Sequence, residues 1–247
     1  MTQNTVVSRQ EWVQARQAHL AKEKALTRQR DALLSERQCL PWTRVEKEYE
    51  FDTPSGRKTL SQLFGDSDQL LVYHFMFGPE WEQGCPSCSL AADTMNANLV
   101  HLTQRGLAFT AISRAPIGKI EEFRKRMNWS FPWASSFGGD FNQDFEVSFP
   151  ADQVSGPKVY NFGTASFPSD EAPGLSAFYK NEQGEIFHTY STYGRGLEGL
   201  LGVYAMLDAS PKGRNEADLP FPMAWVRHHD RYEAKPQSAT CCSAHGD

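Results

Sequence analysis

No stretch limits the fold of this chain more than residues 69–102, QLLVYHFMFGPEWEQGCPSCSLAADTMNANLVHL. Leu70 to Phe77 is an apolar and aromatic run broken only by His74. Such a run suits a strand covered on both faces, in the middle of a mostly parallel sheet. Gly78 and Pro79 end it. Cys85, Pro86, Ser87 and Cys88 follow, and then apolar residues at Ala91, Ala92, Met95, Leu99 and Leu102. That spacing marks one face of a helix. Two thiols three residues apart therefore stand where a helix begins, directly after a central strand.

This placement has chemical consequences. A disulfide needs Cβ atoms roughly 3.5–4.5 Å apart, whereas residues three apart within a helix hold them about 5–6 Å apart. The bond closes more easily if Cys85 lies just outside the helix as N-cap, with Pro86 first inside it, where a missing N–H costs nothing. The free N–H groups and positive dipole end there favour a thiolate at Cys85. Such settings lower a thiol pKa from about 8.5 to roughly 3.5–7.5. Cys88, one turn inside, is shielded and able to attack a mixed disulfide formed at Cys85.

The remainder of the 247 residues divides into three stretches. Residues 1–42 read as a helical extension: Ser8 to Cys39 lacks Pro and Gly, and Ser8 and Glu11 have capping-box spacing. This helix is expected to be a packed appendage; the sharper alternative is an arm for homo-oligomerisation. Residues 43–209 carry the α/β domain. Val45 to Phe51 alternates as a half-exposed strand, DTPSG makes a turn, and Thr59 caps a short helix to Phe64. After the Cys helix come a buried strand (107–112), a helix (116–127), an aromatic stretch of no clear period (128–149) and a loop (150–173). A hairpin (175–179 with 185–190) and a closing helix (197–209) complete it. Residues 210–247 read as a polar, mobile tail.

The order βα, β, α, ββ, α with Cys-x-x-Cys at the first helix start resembles the thioredoxin fold. The expectation is a thioredoxin-like three-layer α/β sandwich with an N-terminal helical extension. By this resemblance, Pro173, just before the strand that opens GLSAFYK, corresponds to the cis-proline that holds an extended substrate near the sulfurs; an ordinary loop proline is the alternative. HFMFGPEW, GCPSCS, HTYSTYGRG and WVRHHDRY further resemble a bacterial family of thioredoxin-like proteins known as domain of unknown function 899, across nearly the whole chain. That resemblance implies a dithiol–disulfide oxidoreductase and leaves the substrate open.

Reversible dithiol exchange is therefore the expected activity, with Cys85 as nucleophile and Cys88 resolving. No bound cofactor or metal is needed. The partners are a disulfide-containing protein or small thiol, and a separate reductant. A peroxiredoxin-type peroxidase is a second reading, but the Pro-x-x-x-Thr-x-x-Cys pattern finds Gly78 and Glu82 in the Pro and Thr positions, and a carboxylate at Glu82 disfavours a nearby thiolate. A metal-binding or metal-delivery protein is a third, with His74, His188 or Cys241–Cys242 joining the thiols. A formal charge of −5 gives no basic patch for nucleic acid. The longest apolar run is too short for a membrane span. An odd five cysteines and no signal-like N-terminus point to a reducing, cytoplasmic location.

Around the thiols, Trp81 and Arg195 are candidate substrate contacts, Arg195 in a hydroxyl-rich run (189–196) that otherwise caps the last helix. Trp129, Phe131 and Trp133 read as core or as an apolar groove, His74 as a hydrogen-bonded core residue, and His228 and His229 as surface residues. Asp93 lies off the Cys88 face of its helix and is given no proton-transfer role.

Overall fold

The structure is a computed structural model that describes residues 4–149 and 159–233. It divides into two units, Met1–Trp42 and Thr43–Asp247. The first holds helix α1 (Arg9–Arg37), 29 residues long with none buried. Its start is the capping box expected from the sequence: the Ser8 hydroxyl accepts from Glu11 N–H while the Glu11 carboxylate accepts from Ser8.

The second unit is built on one mixed sheet. In chain order its elements are β1 (Thr43–Arg44), β2 (Glu50–Thr53), β3 (Gly56–Thr59), α2 (Leu60–Leu63), β4 (Gln69–His74), α3 (Pro86–Gln104), β5 (Leu107–Ser113) and α4 (Ile117–Arg126). Then come β6 (Trp133–Ser135), α5 (Phe141–Asp144), β7 (Gly174–Lys180), β8 (Ile186–Tyr193) and α6 (Gly202–Ala209). The strand order is β1-β8-β7-β4-β5-β6-β2-β3. β4, β5 and β6 run parallel, β7 runs antiparallel to β4, and β8 antiparallel to β7. The central β4 flanked by β5 and β7, with the dithiol helix after it, is the thioredoxin-like arrangement.

Alternation along β4 sorts the two faces. Tyr73 and, beyond the strand, Phe75 and Phe77 enter a core shared with Ala91, Ala92 and Met95 of α3 and Ile120 and Phe123 of α4. Leu70 and Val72 enter the opposite core with Phe51, Leu60, Phe64, Phe141 and Phe145. Burying each of the larger apolar side chains here stabilises the fold by about 1.5–3 kcal/mol, and each alanine by less. Because β4, β5 and β6 step the same way across the sheet, their right-handed crossovers bring α3 and α4 to the same face. The other face is covered by α2, α5 and the segment around them.

Several elements differ from expectation. Residues 45–49 are not a strand. They cross from β1 at one edge of the sheet to β2 near the other, so they have no single strand to pair with. The aromatic stretch contains β6 and α5, both too short to impose a period. The last helix is broken: a 3-10 helix, Gly194–Leu200, precedes α6, and Leu201 between them has a non-helical ψ of 71°. The hydroxyls of 189–193 do not cap it. They belong to β8, and the Leu201 cap makes no side-chain bond.

The expected tail is corrected in part. Residues 210–233 are placed, and Val226 and His228 are 3% and 5% exposed. Glu216 gathers the Tyr204 hydroxyl and the Trp225 indole N–H, which fastens the segment after α6. Cys241 and Cys242 lie outside the described residues.

Candidate functional site: the dithiol at the start of the third helix

Cys85 is the N-cap of α3 and Pro86 its first residue, as the spacing predicts. The loop before it folds back on the end of β4: Cys85 N–H donates to the Met76 carbonyl at 3.0 Å. Its own carbonyl takes the Ser89 N–H and hydroxyl, each at 2.9 Å. Gly84 is demanded by packing. A Cβ there would stand 2.5 Å from the Phe75 ring and 2.8 Å from the Phe123 ring, so any side chain would lift the nucleophile off the core. Cys85 is partly buried and Cys88 is 3% exposed; both are free thiols.

The two sulfurs are electrostatically opposite. The Cys88 thiol donates to the Cys85 sulfur, and against the opposing effect of burial this, with backbone N–H groups of Cys88 and Ser87, lowers the Cys85 pKa to about 7. Burial pushes the Cys88 thiol well up, and its bond to Cys85 adds to this. Tyr73, also buried, lies in the same core as Cys88, and its nearness works against the rise of the Cys88 thiol. Iodoacetamide should therefore modify Cys85 with a rate that climbs through pH about 7 and levels above it, while Cys88 stays unmodified. In Cys88→Ala the Cys85 midpoint should move up, because the largest stabilising bond is gone.

A second device holds the loop from outside. His228 Nε2–H donates to the Gly84 carbonyl at 2.8 Å, across 144 residues of sequence. Its Nδ1 accepts from Arg126 at 2.8 Å, which assigns a neutral imidazole with the proton on Nε2. Burial and then the nearby Arg126 charge keep its pKa below the usual value. Arg126 also reaches Gln83 at 3.0 Å and pairs with Asp230 at 3.0 Å. His229 pairs with Asp93, which in turn takes the Trp129 indole N–H. His228 is thus a correction to the surface reading, and Asp93 anchors this strap without touching the sulfurs.

The remaining candidates fall variously. Pro173 lies at the start of β7, opposite the end of β4, and no described peptide bond is cis. The cis-proline expectation is not met. Its carbonyl takes the Tyr160 hydroxyl at 2.8 Å, and that oxygen accepts Gly194 N–H. Trp81 is partly buried against the same core as Cys85 and covers Gly78. Arg195 is 87% exposed in its side chain and gives its guanidinium to Glu198. Trp129, Phe131 and Trp133 are core, at 5%, 0% and 2% exposure. His74 faces away from the thiols: its Nε2 meets Ser176 at 2.8 Å, it stacks on Phe141, and its Nδ1 has no partner among the described residues. No group of three His, Cys, Asp or Glu among the described residues is placed to hold a metal. None of the described helices is long and apolar enough to cross a membrane.

Tyr73, Arg126 and His228 escaped sequence reading. Tyr73 was legible only as one more aromatic of a buried run, although it shares the alternating face of Phe75 and Phe77. His228 gave no signal beyond the WVRHHDRY segment itself, and Arg126, in EEFRKRMNW, gave none.

Comparison with solved structures finds likenesses at low identity. The peroxidoxin BcpB of Mycobacterium tuberculosis is 13% identical, with 65% of this chain and 93% of that one covered and a TM-score of 0.44. Peroxiredoxin Q of Xanthomonas campestris is 14% identical over 65% and 96%, with a TM-score of 0.40. A secreted M. tuberculosis disulfide oxidoreductase homologous to E. coli DsbE is 17% identical over 64% and 96%, with a TM-score of 0.35. No curated protein matches the chain. Residues 1–232 match the family model described as "Bacterial protein of unknown function (DUF899)", and the chain belongs to that family.

Proposed function

We propose that the protein is a thiol–disulfide oxidoreductase that cycles Cys85 and Cys88 between dithiol and disulfide. The carrying observation is the asymmetry of the pair: a partly exposed sulfur drawn towards thiolate beside a buried sulfur held as thiol. The Cys85 thiolate attacks one sulfur of a substrate disulfide and expels the other as thiolate. Cys88 then attacks Cys85, the Cys85–substrate bond breaks, and the second substrate thiolate leaves. The substrate is reduced by two electrons and the protein oxidised by two, which a separate thiol reductant restores. Trp81, packed against the same core as Cys85, supports a contact with the partner, a disulfide-bearing protein or small disulfide in a reducing compartment.

A turnover assay with a dithiol reductant tests this, offering a mixed disulfide of glutathione and a peptide in one arm and hydrogen peroxide in the other. Disulfide reduction should saturate with substrate, with peroxide consumed no faster than by the reductant alone. Fast peroxide turnover with little disulfide reduction would make the protein a peroxidase.

A further inference from the structure

The peptide unit that leads into the nucleophile is held at both edges. Its N–H, on Cys85, donates to the Met76 carbonyl at 3.0 Å. Its carbonyl, on Gly84, accepts from His228 Nε2–H at 2.8 Å. In a trans peptide these two groups point in opposite directions. Two bonds to two separate parts of the chain therefore stop the plane from turning about its long axis. The turn of that plane sets φ of Cys85, which stands at −59° with ψ at 130°, the non-helical pose of the cap of α3. The pose matters chemically, because from the cap the sulfur lies beside the free N–H groups of the first helical turn.

The surroundings of His228 hold it to this contact. The residue is buried, and the Phe123 ring meets its imidazole edge-on at 5.2 Å. Its Nδ1 accepts from Arg126 at 2.8 Å, which leaves the proton on Nε2, facing Gly84. Arg126, at the end of α4, also donates to Gln83 at 3.0 Å and pairs with Asp230 at 3.0 Å. His229 pairs with Asp93 of α3 at 2.8 Å. Three successive residues thus reach the loop before Cys85, helix α4 and the helix that carries Cys88. A buried imidazole needs both ring nitrogens satisfied, and here one of the two partners is the carbonyl adjoining the nucleophile.

We propose that His228 is a positioning residue for Cys85: together with the Met76 carbonyl it pins the Gly84–Cys85 peptide plane and so keeps the sulfur at the N-terminus of α3, where a thiolate is favoured. The inference rests on the exchange reading for the use made of that thiolate, and adds the residue that holds it in place. His228 transfers no proton and does not touch the reacting sulfurs. Without its bond the buried Gly84 carbonyl has no partner in place of the imidazole. Leaving such a group unpaired is costly, so the plane turns towards another donor and carries Cys85 out of the cap.

The test uses the full reduced chain and follows iodoacetamide alkylation from about pH 6.5 to 9.5, across the thiol range. Peptide mass spectrometry with fragment assignment reads Cys85 apart from the exposed Cys39 and the other thiols. His228→Gln can still donate to Gly84 and should keep the wild-type Cys85 midpoint. His228→Asn can still accept from Arg126 but is too short to reach that carbonyl. Its Cys85 midpoint should move upward, and its rate at the acid end of the range should fall roughly 3- to 10-fold, the reach of a helix N-terminus on an adjacent charge. Val226→Ala trims a buried apolar side chain of the same segment and should keep the midpoint, whatever it costs in urea stability. An unchanged midpoint in folded His228→Asn would overturn the assignment. So would an equal shift in Val226→Ala, the mark of packing alone. Should His228→Asn not fold, nitrogen NMR shifts of the His228 ring in the wild type decide: the proton on Nε2 upholds the assignment, and a proton on Nδ1 overturns it, since Nε2 could then donate nothing to Gly84. Wild-type protein treated with glutathione disulfide keeps the two readings apart. If Cys85 and Cys88 do not join there, the exchange reading fails, whatever the His228 variants show.

Discussion

Cys88→Ala should stop turnover and accumulate a stable mixed disulfide at Cys85, and Cys85→Ser should stop turnover with no adduct at Cys88. The contrast follows from where the two sulfurs sit. Cys85 caps α3 and is reachable; Cys88 is one turn inside, covered by α3 and the end of β4. Without Cys88 the first exchange still proceeds, though from a Cys85 thiolate that has lost its principal hydrogen bond. Trapping should therefore be slower at pH 7 than at pH 8.5. Without Cys85 the remaining thiol is buried and held protonated. Peptide mass spectrometry after incubation with glutathione disulfide, which separates these sites from the exposed Cys39, reads both outcomes. Comparable adducts on Cys88 in the Cys85→Ser protein would reverse the assigned roles.

The second large effect is on the support of the site. Phe123 of α4 is 5% exposed and its ring meets Phe75, Phe77, Trp129 and Trp133 at centroid distances of 6.3, 5.5, 5.7 and 6.1 Å. It also meets His228 edge-on at 5.2 Å and lies under the Arg126 guanidinium. Phe123→Ala should cost about 3–5 kcal/mol in urea unfolding, the usual cost of emptying an aromatic site in a packed core. The cavity opens beneath Gly84 and His228 together, so the nucleophile loop should loosen as well. The expected signature is faster amide exchange at 83–85 and a less uniform Cys85 alkylation rate. Loss of stability below about 1 kcal/mol would mean that the aromatic layer closes over the gap and does not brace the loop.

What the sequence disclosed follows the range of the interactions. Strand β4, the turn after it, the N-cap at Cys85 and Pro86 at the first helical position are decided within some twenty neighbouring residues, and they stand as read. Gly84 belongs to the same stretch, yet its reason is tertiary: the Phe75 and Phe123 rings leave no space for a Cβ. The crossing segment 45–49 alternates like a strand, but topology places its two ends at opposite sides of the sheet. The closing helix has apolar periodicity throughout, while glycines at 196, 199 and 202 let its first part tighten into a 3-10 helix that ends at Leu200. His228 was out of reach for another reason. Its meaning lies in Gly84, 144 residues earlier, and in the Arg126 that sets its tautomer. Pro173 occupies the expected place before β7, but with a trans bond and with its carbonyl engaged by Tyr160.

The claim that Cys85 and Cys88 form one working redox couple is tested most directly by poising the protein across a series of glutathione and glutathione disulfide ratios. Acid quenching, alkylation of remaining thiols and peptide mass spectrometry then read the state of each cysteine. The account predicts a single reversible two-electron transition, with Cys85 linked to Cys88 on the oxidised side and both alkylated on the reduced side. It would be contradicted if both thiols stayed alkylatable at every ratio, or if Cys85 took up oxygen or glutathione irreversibly while Cys88 remained free.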